Sequence, residues 1–273
     1  AYLAAITEYL KFNYPKEFFL SLLKYTKFEP NSHEEIAKIS QELSHFDIKL
    51  LPPDLNKSDI DFKIEGKDIR YGLNSIKGVS DKVLQALLDF REDSFDNKYE
   101  VFLSAKQAGL NIGTLSALIQ AGLLDSFVSS NRCRLVLEAQ TFNILTDREK
   151  RNFVELGKKY NYDILAAVHD CFKTEAVGDD NRKLFTEKRF ATFKKKYDPY
   201  KNIYEMNKTH IKYANWFFEE KLLGYSYSYN VRQVFNHEDD FQSSEVIKDA
   251  ENRANVKFVG SLIDIMRRTG RNN

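Results

Sequence analysis

The sequence predicts a mainly α fold with a small β portion (α+β). Three observations carry this. Apolar residues recur at the i, i+3, i+4, i+7 spacing of a helix face along most of the chain, as at Val83, Ala86, Leu87 and Phe90. Helix-start signals precede such runs: Ser32-His33-Glu34-Glu35 and Thr146-Asp147-Arg148-Glu149 both have the form of a capping box. β-type runs are confined to IKLLPPDLNKSDIDFKIEGKDIRYGL, which Pro52-Pro53 and the turn Glu65-Gly66-Lys67-Asp68 break up, and to VKFVGSLIDIM, Val256 to Met266.

Taken in order, residues 1–47 read as three helices, with Pro15 at a first helical position where its missing N–H is harmless. The next run reads as a two- or three-stranded piece. Residues 73–145 return to helix, where Leu115, Leu118 and Ile119 repeat the spacing before Gly122 closes the helix. The Thr146 box opens a helix carrying Phe153 and Leu156, residues 173–187 read as an exposed polar loop, and 188–223 are helical, basic first and aromatic later. Val256 to Met266 alternates as a strand and meets Arg267-Arg268-Thr269-Gly270-Arg271, a hairpin tip; a lone strand is unstable. With the amphipathic opening AYLAAITEYLKF, which has no initial Met, it reads as the edge of a longer chain.

The bulk numbers exclude several classes. At 273 residues, 42% of them hydrophobic, the chain can build one or two modest domains. Its net charge of +1 confines any anion binding to a local patch. Cys133 and Cys171 are too few for a disulfide framework and fit a cytoplasmic protein. No run reaches membrane-spanning length, so no membrane partner is expected. The sequence holds no Gly-x-x-x-x-Gly-Lys-Ser/Thr loop, no Gly-x-Ser-x-Gly elbow and no His-Glu-x-x-His. His33, His45, His169, His210 and His237 are scattered without ligand spacing, so no metal site is expected. Asp59 and Asp61 would share one face of a strand, which reads as a polar edge rather than a magnesium site.

The turn Lys77-Gly78-Val79-Ser80 carries more. A bend ending at Ile76, the turn, and a helix from about Ser80 form a helix-hairpin-helix pattern. Gly78 can take positive φ and let another backbone approach. Val79 anchors the turn, and the unpaired first amides of the next helix, reinforced by its dipole, suit one phosphate. Lys77 and Lys82 flank it. A weaker second copy reads as helix Tyr99–Gly109, turn Leu110-Asn111-Ile112-Gly113-Thr114 and helix Leu115–Ala121, with Asn111, Gly113 and Thr114 at the turn. Two copies would grip phosphates without reading bases. Downstream, Arg182, Lys183, Lys188, Arg189, Lys194, Lys195, Lys196, Lys201, Lys208 and Lys212 outnumber Glu187, Asp198 and Glu205 and interleave with Phe190, Phe193, Tyr197, Tyr200 and Tyr204, a basic face that could track phosphates or simply be solvated with its aromatics packed inward. Asn215-Trp216-Phe217-Phe218 reads as core.

These residues resemble a known family. Leu51-Pro52-Pro53-Asp54-Leu55-Asn56-Lys57-Ser58, Phe62, Ile69-Arg70-Tyr71-Gly72-Leu73 and Ile76-Lys77-Gly78-Val79 are similar in order and spacing to a signature of the bacterial replicative DNA polymerase III alpha subunits (family C). Tyr9-Leu10-Lys11 to Phe18, Leu118 to Ser126 with Asn131-Arg132, and Glu220 to Tyr225 resemble further family motifs, and Val256 to Arg268 resembles the first strand of its OB domain. The basic, aromatic stretch 188–223 resembles phage-encoded members.

The resemblance implies the end of the fingers (1–72), a tandem helix-hairpin-helix module (73–145), connecting helices (146–235) and an incomplete OB-like start (236–273). It implies binding of primer-template duplex DNA through Lys77, Gly78, Val79, Ser80, Lys82, Asn111, Gly113, Thr114 and Arg132, beside an upstream palm and other polymerase domains. The catalytic aspartates belong to that palm, so no catalytic residue is assigned, and Mg²⁺ is expected for the parent polymerase only. Asn181-Arg182-Lys183-Leu184-Phe185 is the nearest match to the family's sliding-clamp motif, with Asn181, Leu184 and Phe185 in the key positions. Two departures matter. Ser80 stands where many members have a second glycine, which predicts a less open turn, and the second hairpin lacks basic residues. From another class, the alternative is a stand-alone helix-hairpin-helix module of a repair or scaffold protein.

Overall fold

The structure, a computed structural model, describes residues 2–92, 95–128, 131–173, 185–235, 251 and 255–257. The N-terminal part is the expected helix trio: α1 (Tyr2–Asn13), α2 (Pro15–Tyr25, with Pro at the first turn) and α3 (Ser32–Leu43). The capping box at Ser32 does not form. Asn31 holds the cap position and Ser32 is already helical, so its hydroxyl lies past the amides it was to cap; Asn31 Nδ2 instead donates to Glu34 at 3.2 Å. Phe19, Leu23, Ile36 and Leu43 form the buried faces of α2 and α3, whereas α1 buries no residue.

Three short strands follow, β1 (Leu50–Leu51), β2 (Lys63–Glu65) and β3 (Asp68–Arg70), in the order β1-β3-β2. β2 and β3 form an antiparallel hairpin with Ile64 opposite Ile69, and β1 lies parallel to β3 with Leu50 opposite Ile69. Arg70 locks the piece by donating to both carboxylate oxygens of Glu65 at 2.8 and 2.6 Å and to the Pro52 carbonyl at 2.9 Å. Asp59 and Asp61 lie outside the strands. Asp61 accepts from Asn74 at 2.6 Å and pairs with Lys27 at 3.6 Å, which is a structural role rather than one face of a carboxylate pair.

The remainder is helical: α4 (Asp81–Arg91), α5 (Lys98–Gln107), α6 (Ile112–Gln120), α7 (Arg132–Ile144), α8 (Asp147–Glu155), α9 (Ile164–Lys173), α10 (Glu187–Asn207), α11 (Ile211–Leu223) and α12 (Val231–Phe235). The Thr146 capping box is complete, with Glu149 accepting from the Thr146 amide at 2.7 Å. Ala86, Leu87 and Phe90 face inward as the spacing requires. One continuous core joins Phe19 and Tyr71 to Tyr99, Phe142, Phe153 and Phe193. Replacing such a buried aromatic by alanine typically costs ~3–5 kcal/mol.

Phe185, the last residue of the expected clamp motif, packs on Phe153, Phe190 and Phe193 at ring distances of 6.1, 6.3 and 5.3 Å; Asn181 and Leu184 lie outside the described residues. Of the expected C-terminal strand only Val256 and Lys257 are described, and they are irregular. No helix among the described residues is long and apolar enough to cross a membrane.

The C-terminal end of α11 fixes the position of the first hairpin. A helix leaves its last carbonyls without intrahelical donors. Here the Leu222 carbonyl accepts from the Lys77 amide at 2.9 Å and has His33 Nε2 at 3.2 Å, and the Leu223 carbonyl accepts from the Tyr71 hydroxyl at 2.9 Å. Gly224 closes the helix at φ +84°, so near the His33 carbonyl that an added Cβ would lie 2.4 Å from its oxygen.

Candidate nucleic-acid interface

The first hairpin begins with a short 3₁₀ turn, Leu73–Ser75, and turns at Gly78 with φ +90°. Val79 is half-buried against the core. Ser80 is the N-cap of α4, at φ −84° and ψ 168°, with its hydroxyl accepting from the Val83 amide at 3.4 Å. That backbone is ordinary extended geometry, which any residue adopts. The expectation that serine closes the turn therefore does not hold: the positive φ falls on Gly78 alone.

The second hairpin repeats this geometry three to four residues before the expected register. α6 starts at Ile112, not at Leu115, so Gly113 and Thr114 sit in its first turn. The turn glycine is Gly109, at φ +89°. Leu110 is the buried anchor and Asn111 the N-cap, at φ −73° and ψ 160°, accepting from the Thr114 amide at 2.9 Å. Gly78-Val79-Ser80 and Gly109-Leu110-Asn111 are thus the same unit twice: a left-handed glycine, an apolar anchor and an extended cap. The repeat itself marks Gly109 as the turn glycine, although Gly113, two residues beyond the cap, is the same residue type.

The two units meet. Lys77, Gly78 and Val79 of the first hairpin and Gly113, Thr114 and Ala117 of α6 line one recess of about 230 Å³. A Cβ built on Gly78 or Gly109 would meet nothing within 4 Å, so both turns face open space. The first amides of α4 and α6 have no acceptor inside their helices and carry the positive end of the helix dipole. The charges are uneven. Lys77 and Lys82 are exposed beside the first turn, where Asp81 offsets one of them, whereas the second has neither lysine nor acid in its first turn. Lys106, on the helix before the second turn, is held by Asp147 at 3.1 Å.

Arg132 stands apart from the other expected contacts. It is only 6% exposed, and all five of its guanidinium N–H groups are engaged: with Asp125, with the Gln120 carbonyl, with Glu219 at 2.6 Å and with the Tyr227 hydroxyl at 2.6 Å. Burial works against its charge, but Asp125 and Glu219 outweigh this and hold the guanidinium above its ordinary pKa. Glu219 is fully buried and also accepts from Ser226 Oγ at 2.7 Å and from the amides of Tyr227 and Ser228 at 3.0 Å each. Arg132 is therefore the hub tying α6, α7 and α11 to the Ser226–Ser228 segment, and no donor remains for a phosphate. Tyr227 also covers the positive-φ Gly122, where an added Cβ would lie 1.9 Å from its hydroxyl.

Beyond the hairpins, the basic helix divides. Phe193 and Tyr197 are buried, but Tyr200 is not. In the same way Trp216 is core, as expected, while Phe217 is exposed. Among the described residues no group of three His, Cys, Asp or Glu side chains could hold a metal ion.

A paired glycine turn with capped helices is the geometry of a helix-hairpin-helix module, and residues 47–135 match the family model for the helix-hairpin-helix motif. The chain is also similar to DNA polymerase III subunit alpha from several bacteria. It is 33% identical to the Thermus aquaticus protein over 132 residues, 48% of this chain and 10% of that one. It is 32% identical to that of Aquifex aeolicus over 138 residues (50% and 12%), and 39% identical to that of Campylobacter jejuni over 126 residues (44% and 10%). The resemblance is to a helix-hairpin-helix region of DNA polymerase III subunit alpha, and the chain spans about a tenth of the length of these relatives.

Proposed function

We propose that this chain is a DNA-binding region of a replicative DNA polymerase of the DNA polymerase III alpha type, holding duplex primer-template DNA by its phosphates and supplying template positioning and processivity. The observation that carries this is the glycine–anchor–cap unit that occurs twice, with the first glycine turn and the N-terminal part of α6 lining one recess. Backbone amides and lysines that meet phosphate oxygens fix register without reading bases. Lys77, Gly78, Val79, Ser80 and Lys82 form the stronger half of the grip. Asn111, Gly113 and Thr114, around the turn set by Gly109, form the weaker half: it has no lysine, and the Thr114 and Gly109 amides are already held by Asn111 Oδ1 and the Lys106 carbonyl. Other polymerase domains are the expected neighbours. Mg²⁺ is expected for nucleotide addition by the parent polymerase, at the catalytic aspartates of its palm.

The test is duplex binding as a function of salt. Lys77→Glu should weaken binding alike for all sequences and flatten the slope of log K against log salt by about one unit. Sequence-selective loss, or an unchanged slope, would remove the phosphate reading.

A further inference from the structure

The second open feature of the molecule lies on another face. A groove of about 480 Å³ runs between α7, α10 and α11. Protein interiors are packed without voids of that size, so this is a cleft and not a packing fault. Its walls are aromatic and their rings are open: Tyr200 is 40%, Tyr213 44% and Phe217 39% exposed. Tyr213 and Phe217 lie one turn apart on α11, with nearly parallel rings 5.9 Å apart and 20° between their planes.

The rim is cationic. On α10 the groove stripe Tyr200, Ile203 and Asn207 continues at helical spacing to the exposed Lys196, and on α11, which His210 precedes as N-cap, the stripe Tyr213 and Phe217 continues to Lys221. Lys221 Nζ sits 5.8 Å from the Phe217 ring, and Lys212 lies beside Tyr213 with its Nζ 5.9 Å from the Tyr229 ring. Asp198 and Glu205 are the acids on this part of α10, and Glu205 is already paired with Lys208 at 2.6 Å.

We propose that this groove binds single-stranded DNA, with bases stacked on Tyr213, Phe217 and Tyr200 and the backbone tracked by the rim lysines. Open aromatic faces bordered by lysines are the chemistry that holds unpaired bases without regard to sequence. An apolar peptide would use the rings but leave the cations unanswered, and a duplex hides its base faces from the rings. The choice of DNA over RNA rests on the function proposed above; the stacking site does not. The groove is also close to the hairpin. Phe218, on its wall, is one helical turn before Leu222, whose carbonyl holds the Lys77 amide.

The experiment uses the full chain and a labelled oligothymidylate of about 12 nucleotides, within the usual site size for such grooves. Phe217→Ala and Tyr213→Ala should each weaken binding about tenfold, and Tyr213→Phe should retain it, since the ring and not the hydroxyl stacks. Duplex affinity should not change in these variants, whereas Lys77→Glu should weaken duplex binding and leave the oligothymidylate unaffected. The two readings can therefore fail separately. An abasic oligonucleotide that binds as tightly as oligothymidylate would overturn the proposal. So would an unchanged affinity in Phe217→Ala, or a wild-type dimer in sedimentation that Phe217→Ala dissolves, which would assign the groove to a second copy. Photocrosslinking of an iodouracil oligonucleotide to the unmodified chain does not depend on any variant folding. Adducts on Tyr200, Tyr213 or Phe217 are expected, and adducts confined to other residues would overturn the proposal.

Discussion

Replacing Arg132 with methionine separates a structural arginine from a phosphate-binding one. The side chain is 6% exposed and its partner Glu219 is fully buried. Removing one member of a buried ion pair typically costs ~3–5 kcal/mol, because the other charge is left unpaired. Glu219 would keep Ser226 Oγ, the amides of Tyr227 and Ser228 and the Ser228 hydroxyl, so the lower end of that range applies. For a chain of this size each kcal/mol moves Tm by roughly 2–4 °C, which gives a fall of roughly 6–12 °C. Thermal melts followed by circular dichroism read this directly. Adding Glu219→Gln to Arg132→Met should recover part of the loss, because the uncompensated charge is then removed. Duplex affinity, measured well below the lowered Tm, should stay within about twofold, well inside one tenfold step of 1.4 kcal/mol. A variant that melts like the unmodified chain and loses duplex binding would return Arg132 to the DNA interface and refute the hub.

Further outcomes are expected elsewhere. Gly78→Ala meets open space but forces a methyl onto φ +90°, so it should cost ~1–2 kcal/mol in urea unfolding. Gly224→Ala should cost clearly more in the same assay, because the left-handed strain is joined by a clash with the His33 carbonyl. Burial, with Lys106 nearby, pushes the Lys150 pKa down to about 8 from 10.5 despite Asp147. Between those values the unfolded chain binds more protons than the folded one, so stability should rise with pH from about 8 to 10.5. In Lys150→Met that rise should be absent, and the variant should be the more stable of the two at pH 7; a rise of equal size in both would assign it to another group. Incubated with magnesium, deoxynucleotides and a primed template, the purified chain should add no nucleotide, as a gel-based extension assay would show.

The N-terminal trio, the β insertion and the first hairpin could be read from the sequence because each is written in contiguous residues: Pro15 at a helix start, Glu65 to Asp68 at a hairpin tip, Gly78 before an N-cap. The second hairpin is present but lies upstream of its expected register. Gly113 and Gly109 are equally plausible turn residues by type, and only the backbone shows which of them takes positive φ. Asn31 displaced Ser32 as cap for a similar reason, since neighbouring residues can both serve. Arg132 could not be read locally at all: Asp125 is near, but Glu219 and Tyr227 come from the other side of the fold. Trp216 and Phe217 are adjacent and equally apolar, yet one is core and the other lines the groove, because a helix turns neighbouring residues about 100° apart.

The bond from the Tyr71 hydroxyl to the Leu223 carbonyl joins residues 152 apart in sequence, next to the one that holds the Lys77 amide. During synthesis at ~5–20 residues per second, the first hairpin emerges about 8–30 seconds before the helix end that secures it. Over that interval the turn has its glycine and its cap but not its brace. A nascent chain stalled before α11 would therefore carry a loose hairpin, and a peptide cut after residue 145 would keep the motif while losing the part of the molecule that holds it still.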